Sequence, residues 1–323
     1  MSEDHLMEIS SGVYLFVPPP ARVAGWRRSG NVIILDNSED LYIIDSGGPS
    51  VRDRLKTIVN RFRINDERQI HCVHTHGHID HMAGAGDLQN DFGAKLWASE
   101  EALPFVESQA PILLELERDS LVVSFRELFT APSWFVRAAM WVALGRTKSI
   151  SDVHPLDLSS NIGELSYRPV ELAGHHKGHL GFYDEDESIL IAGDLIDPRH
   201  KMKPNLTSPS SDFAGMTESL EKILQISPGL LLPGHGEPIV GKTEIQGAIQ
   251  RAQTTLQSAH NKVIEVLVSK PSTLPQISKS LLRMGLGPGD VFRRMFIHSI
   301  LRYLVETGKA SIKKSRGKTV FSV

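Results

Sequence analysis

Thr75-His76-Gly77-His78-Ile79-Asp80-His81 places four potential metal ligands on one short loop. A strand, Gln69 to Val73, runs directly into it. Imidazoles that alternate along an extended loop can point to one side and grip a single ion, while Asp80 and His81 swing toward a second ion beside it. The competing reading is a solvated polar loop, and such crowding of ligands argues against it.

The 323 residues, 41% of them apolar, can bury one large core and a smaller second one, so two domains are expected. The single cysteine, Cys72, excludes an intramolecular disulfide and a cysteine-rich metal site, which suits a reducing cytoplasm. Met1 to Ile9 carries Glu3, Asp4 and Glu8 and lacks the basic-then-apolar order of a secretory signal, so a cytoplasmic protein is expected. The most membrane-like stretch, Leu121 to Gly145, is interrupted by Arg126, Glu127, Pro132 and Arg137, and no bilayer span is expected. The net charge of −3 is unevenly divided: residues 260–323 hold 12 Lys and Arg against 3 Asp and Glu, a surplus of +9, which leaves −12 on the rest.

Strands are predicted at Gly12 to Val17, Asn31 to Leu35 and Leu41 to Ile44, then a helix at Val51 to Phe62 and a strand at Lys95 to Ala98. Glu100 to Lys148 reads almost wholly as helix with a break at Pro132. Further strands are predicted at Leu165 to Leu172, Leu180 to Tyr183, Ile189 to Ala192 and Leu230 to Leu232, with a helix at Thr217 to Ile226. From Thr243 a long amphipathic helix runs to about Ser269, where Pro271 ends it. Helix Leu274 to Met284, a glycine-rich turn, helix Val291 to Thr307 with Asp290 as its cap, and a basic hairpin at Ala310 to Val323 then follow in the order of a winged helix.

The metal loop resembles the His-x-His-x-Asp-His motif of the metallo-β-lactamase superfamily, and the rest of that family's pattern follows in order. Asp45 matches the aspartate that braces the metal loop from behind, His175 in Gly174-His175-His176-Lys177-Gly178-His179 the third histidine of the first site, Asp194 in Ala192-Gly193-Asp194 the bridging carboxylate, and His235 in Pro233-Gly234-His235-Gly236 the last ligand. The resemblance implies an α+β fold, an αββα sandwich over residues 1–243 with a helical insertion at about 100–150, and a small winged-helix domain with its linking helix over 244–323. It implies that His76, His78 and His175 hold metal one, that Asp80, His81 and His235 hold metal two, and that Asp194 links them. The expected cofactors are two divalent ions, zinc in the first place, with iron or manganese also compatible with nitrogen and oxygen ligands. Two such ions about 3.5–4 Å apart acidify a water between them, so the expected nucleophile is a metal-bridging hydroxide, oriented by Asp80.

By the same resemblance His179 faces the cavity as a substrate-positioning or oxyanion-stabilising group. His176 neighbours a ligand and could be misassigned for it. His71 and His74 flank the motif, and His154, His200, His260 and His298 are isolated; all are read as structural. True zinc β-lactamases generally lack the carboxylate at Asp194, which leaves β-lactam hydrolysis as a weak side activity at most. Quorum-quenching lactonases place a tyrosine shortly after that aspartate, where Leu195, Ile196 and Asp197 stand here.

Acyl thioesterases and single-strand endoribonucleases both occur among relatives with a C-terminal winged helix. For a nuclease speak Arg294, His298 and Arg302, at i, i+4 and i+8 on one helix face, and Lys313, Lys314, Arg316 and Lys318 on the wing, a candidate phosphate-binding surface. Against it stands the acidic remainder of the chain, which repels a polyanion. For a small acyl substrate speaks the aromatic insertion, where Trp134 to Leu144 is apolar on nearly every helical face except at Arg137 and is expected to pack on the body, on the second copy of a homodimer, or over the substrate. The favoured expectation is a metallo-hydrolase of an activated acyl bond, a thioester, lactone or ester.

Overall fold

A computed structural model describes residues 6–19, 22–23, 26–27, 29–62, 68–108, 114–115, 123, 125–129, 134, 138, 148–286 and 289–323. Two sheets face each other. The first has seven strands, in the spatial order Leu6–Ser10, Val13–Phe16, Val32–Asp36, Leu41–Ile44, Ile70–Val73, Lys95–Ala98 and Val153–Pro155. The second has five, in the order Arg168–Glu171, Leu180–Asp184, Ile189–Gly193, Leu230–Pro233 and Ile239–Val240.

Alternation along the strands explains the layering, because successive side chains of a strand point to opposite faces. Ile33, Leu35, Tyr42 and Ile44 point inward to meet Phe182, Ile189, Ile191 and Leu232 of the second sheet. Their neighbours Val32, Ile34, Leu41 and Ile43 point outward onto Leu55, Ile58 and Val59 of the helix Arg52–Phe62 and onto Leu88 of the helix Ala85–Phe92. Leu190, Ala192 and Leu231 do the same on the far side, against Met216, Leu220 and Ile223 of the helix Phe213–Ile226 and Ile249, Ala252 and Leu256 of the helix Lys242–Ser269. With both faces covered, strands such as Val32–Leu35 are buried at every position. The result is the helix–sheet–sheet–helix sandwich expected from the sequence.

The C-terminal elements join the same far-side core. Leu274 and Ile277 of the helix Leu274–Ser280, Phe296, Ile300 and Leu304 of the helix Asp290–Glu306, and Phe321 of the hairpin Ser311–Ser315/Lys318–Ser322 form one cluster with the second sheet's outer face, and Leu128 and Phe129 of the short helix Phe125–Phe129 close it.

The structure differs from the sequence reading at several ends. The helix predicted from Thr217 begins at Phe213, because the Asp212 carboxylate accepts from the backbone N–H groups of Ala214 and Gly215. Asp290 does not cap its helix: it is the first helical residue after Gly289, and its carboxylate accepts from Ser278 Oγ at 3.0 Å and pairs with Arg293 and Arg294. The strands Leu6–Ser10 and Val153–Pro155 lie at the two edges of the first sheet, where pairing rather than composition makes them strands. Of the predicted helix Glu100 to Lys148, the described parts include Leu103–Val106 and Phe125–Phe129; Trp134 is exposed, and most of Trp134 to Leu144 lies outside the described residues. Among the described residues no helix is long and apolar enough to cross a membrane.

Candidate metal centre

The site lies where the central strands of both sheets end. Leu41–Ile44 and Ile70–Val73 pair in parallel, Ile44 beside Val73, so Asp45 emerges next to the loop that starts at His74. Asp45 takes a left-handed turn, φ 58°, and its carboxylate accepts three bonds of 2.8 Å, from Thr75 N–H, Thr75 Oγ1 and His81 Nδ1. It fixes the loop at both ends.

The outer contacts of the histidines set their tautomers. Thr75 Oγ1 spends its proton on Asp45, so it accepts from His76 Nδ1 at 2.9 Å; His175 Nδ1 donates to the Asn205 carbonyl at 2.7 Å; His81 Nδ1 donates to Asp45. Each of these rings therefore turns a lone pair on Nε2 into the site. His78 is the reverse, with Nδ1 3.1 Å from His76 Nε2 and 2.9 Å from His175 Nε2. One proton on His78 could serve one of those two lone pairs; a cation serves all three nitrogens.

The second set is richer in carboxylate. His235 Nε2 lies 3.3 Å from His81 Nε2, 3.4 Å from Asp80 Oδ2 and 3.3 Å from Asp194 Oδ2, while Asp194 Oδ1 is 3.2 Å from His81 Nε2. Asp194 Oδ2 is also 3.7 Å from His175 Nε2, which puts this carboxylate between the two sets. Its Oδ1 is buried without a hydrogen-bond donor among the described residues. Lone pairs that converge on shared points, with buried oxygen left unsatisfied, fit two divalent cations. The groups His76, His78, His175 and Asp80, His81, His235 are each compact enough to hold one ion.

The electrostatics of the two sets differ. Burial holds His78 and His175 down to about 4 and His76 well below its ordinary value, so all three imidazoles are neutral at pH 7. Burial works the same way on His81 and His235 but is outweighed, for His81 by Asp194 and Asp45 and for His235 mainly by Asp194, and both rise. Burial opposes charge on Asp80 and Asp194 as well, yet neighbouring His235 and His81 hold both carboxyls below the ordinary range.

Close approach shapes the frame. A Cβ on Gly30 would fall 2.3 Å from the His81 ring, and one on Gly234 2.2 Å from Asp194 Oδ1, so only glycine fits at either place.

One predicted role is not supported. His179 does not face the cavity with a free nitrogen: Nδ1 donates to the Leu172 carbonyl at 2.9 Å and Nε2 accepts from the Asp194 backbone N–H at 3.0 Å. Its ring holds the backbone of Asp194 instead. Arg294, His298 and Arg302 also depart from expectation, because the middle of their helix is buried nearly all round. Arg294 donates to the Glu127 carbonyl at 2.8 Å, Arg302 to the Ser211 carbonyl at 2.7 Å, and His298 is 1% exposed, so none of the three offers an open phosphate-binding face. Lys313, Lys314, Arg316 and Lys318 are exposed on the hairpin.

Of the histidines read as structural, His71 accepts from Trp97 Nε1 at 3.1 Å and stacks on Tyr42, His74 reaches the Trp97 carbonyl at 3.3 Å, and His260 stacks on Phe213. Sequence reasoning missed three residues. Asn31 donates to the carbonyls of Pro233 and Gly236, both at 2.8 Å, and so fixes the His235 loop. Asn205 donates to Asp194 Oδ2 at 2.9 Å, and Glu115 is buried within 3.7 Å of His78. No local motif marks any of them.

Residues 25–235 match the family described as the Metallo-beta-lactamase superfamily. The chain belongs to this superfamily. Its members bind divalent metals, and the chain is accordingly an enzyme of the metallo-hydrolase kind. It is similar to "Probable metallo-hydrolase YqjP" of Bacillus subtilis, 25% identical over 284 residues, which cover 82% of this chain and 83% of that one. It is also similar to "Hydroxyacylglutathione hydrolase GloC" of Haemophilus influenzae, 24% identical over 206 residues, 63% of this chain and 84% of the other. A solved β-lactamase domain protein from Burkholderia ambifaria shares the fold with a TM-score of 0.75 at 20% identity, over 98% of this chain and 94% of that one.

Proposed function

We propose that His76, His78 and His175 hold one divalent ion, that Asp80, His81 and His235 hold a second with Asp194 bridging, and that the enzyme hydrolyses an activated acyl bond: a thioester, lactone or ester. The convergence of the two ligand sets on either side of Asp194 carries this reading. Zinc is the ion proposed first, with iron or manganese as alternatives of the same donor chemistry. Bound there, two divalent ions would polarise an acyl carbonyl and bring a water's pKa from about 15.7 toward about 7.

The chain's own residues do the rest. Three neutral imidazoles leave their ion electrophilic. Asp80 has the most exposed side chain of the set, 28% against 6% for Asp194, so it is placed to orient a nucleophile entering from solvent. His179 keeps the Asp194 backbone in place.

The acyl reading draws support from GloC, an acyl-bond hydrolase by its name, and from the inward turn of Arg294, His298 and Arg302, which removes three of the seven residues of the candidate phosphate-binding surface. Zinc-loaded protein is expected to turn over a panel of acyl thioesters and lactones, and His76→Ala or Asp80→Ala protein is expected to lose that activity by a factor on the order of 10⁴. Metal-dependent cleavage of single-stranded RNA without acyl turnover would replace this reading with a nuclease that holds its strand on the hairpin lysines.

A further inference from the structure

Three of the site's imidazoles, those of His76, His81 and His175, have their outer nitrogen fixed by Thr75, Asp45 and Asn205. His78 turns Nδ1 inward, so its outer nitrogen is Nε2, and the group that faces it, at 3.7 Å, is Glu115 Oε2. Glu115 is fully buried. Its Oε1 is saturated by the Ser208 hydroxyl, by Ser210 N–H at 2.8 Å and by the Ser210 hydroxyl at 2.5 Å. Its Oε2 has no hydrogen-bond donor among the described residues.

We infer that Glu115 is a positioning residue that holds His78 in its ligating orientation, and that Arg302 of the helix Asp290–Glu306 anchors this contact from outside the catalytic sandwich.

The donor count supports it. A buried carboxylate oxygen without a donor is strongly unfavourable, and His78 Nε2–H, 3.7 Å away, is placed to satisfy it. His176 cannot supply one: its Nδ1 donates to the Lys177 carbonyl at 2.8 Å, so its Nε2, buried beside Glu115, presents a lone pair. A proton on His78 Nε2 leaves Nδ1 bare toward His76 and His175. Glu115 thus selects the tautomer that a metal requires, as ligating histidines are commonly fixed by a carboxylate on their far nitrogen.

The anchoring follows from the 208–211 turn. Arg302 donates to the carbonyls of Ser210, at 3.4 Å, and Ser211, at 2.7 Å. Within the turn Ser211 Oγ donates to the His175 carbonyl at 2.9 Å and accepts from Ser208 N–H at 3.1 Å. One arginine therefore steadies a turn that touches the supports of two ligands, His78 through Glu115 and His175 through its own backbone.

This inference rests on the metal-ligand assignment proposed above. The test is competitive chelation on holo wild type, Glu115→Gln, Glu115→Ala and Arg302→Met, with the visible spectrum of the cobalt-substituted proteins. Glu115→Gln, which keeps an acceptor, is expected to weaken one of two bound ions about 10-fold and Glu115→Ala about 100-fold, the other ion being unchanged. One cobalt band should shift, and Arg302→Met should shift the same band less. Wild-type affinities and spectra in all three variants would overturn the inference while leaving two-metal binding intact. Equal loss of both ions alongside a lowered Tm would overturn it in favour of a general structural role. Uptake of a third ion, lost in Glu115→Gln and in His176→Asn, would overturn it in favour of a cation site between those residues. A wild type that binds no divalent metal would sink the ligand assignment itself.

Discussion

Two stretches of this chain carry nitrogen-bearing polar side chains at close spacing, the loop 74–81 with four histidines and the helix Asp290–Glu306 with three arginines and His298, and they use them in opposite ways. The loop turns nitrogen lone pairs toward one another around a shared space, whereas the helix turns its arginines onto backbone carbonyls and seals its histidine in the core. The first arrangement stores unsatisfied acceptors for a ligand; the second leaves few and serves packing. Periodic charge on a helix therefore says little about function until the burial of that face is known.

The comparison breaks most readily at Asp45. Asp45→Asn should lower metal affinity by about 10- to 100-fold, because an amide offers one acceptor atom where the carboxylate uses two, Oδ1 for Thr75 N–H and Oδ2 for Thr75 Oγ1 and His81 Nδ1; titration with a chromogenic chelator measures it, and unchanged affinity would mean that the loop is held by its backbone alone. Arg294→Ala on the helix should leave affinity untouched yet lower stability by about 2 kcal/mol, since it removes the charged donor to the buried Glu127 carbonyl; urea unfolding of the holo protein is the measurement.

His298 sharpens the contrast through pH. Burial holds it down to about 3, while the unfolded chain titrates it near about 6.5. As pH falls through that window the unfolded state gains a proton that the folded state refuses, so stability declines by up to about 1.4 kcal/mol per pH unit. His298→Gln should flatten the dependence of stability on pH between 6 and 4 by one proton's worth; an identical slope would show that other groups carry the acid response. The smallest effect is expected at the hairpin. Charge reversal of Lys313, Lys314, Arg316 and Lys318 together should change acyl turnover less than twofold, and a large loss would bring that surface back into the reaction.

How much could be seen beforehand follows the same division. The histidines and aspartates that converge at the site were legible because coordination demands particular side chains at particular offsets, and the sandwich because strands such as Val32–Leu35 and Leu41–Ile44 are apolar at every position. Glu115, Asn31 and Asn205 were not, since each acts across at least 11 residues of sequence, Glu115 on His78 across 37 and Asn31 on the His235 loop across more than 200, with no local pattern to mark them. His179 was misread because its proximity to His175 in sequence says nothing of which carbonyl its Nδ1 will find. Arg294, His298 and Arg302 share a face, as their spacing required, but that face is covered by the 208–211 turn and the helix Phe125–Phe129.

Glu127 receives its hydrogen bonds from Thr319, through N–H at 2.7 Å and Oγ1 at 2.9 Å, across 192 positions of chain. During synthesis the stretch around Glu127 leaves the ribosome long before its partner exists. A buried carboxylate on the helix Phe125–Phe129 must wait, solvated, until the hairpin has been made, so the far-side core around Leu128 and Phe129 closes only once that hairpin is in place.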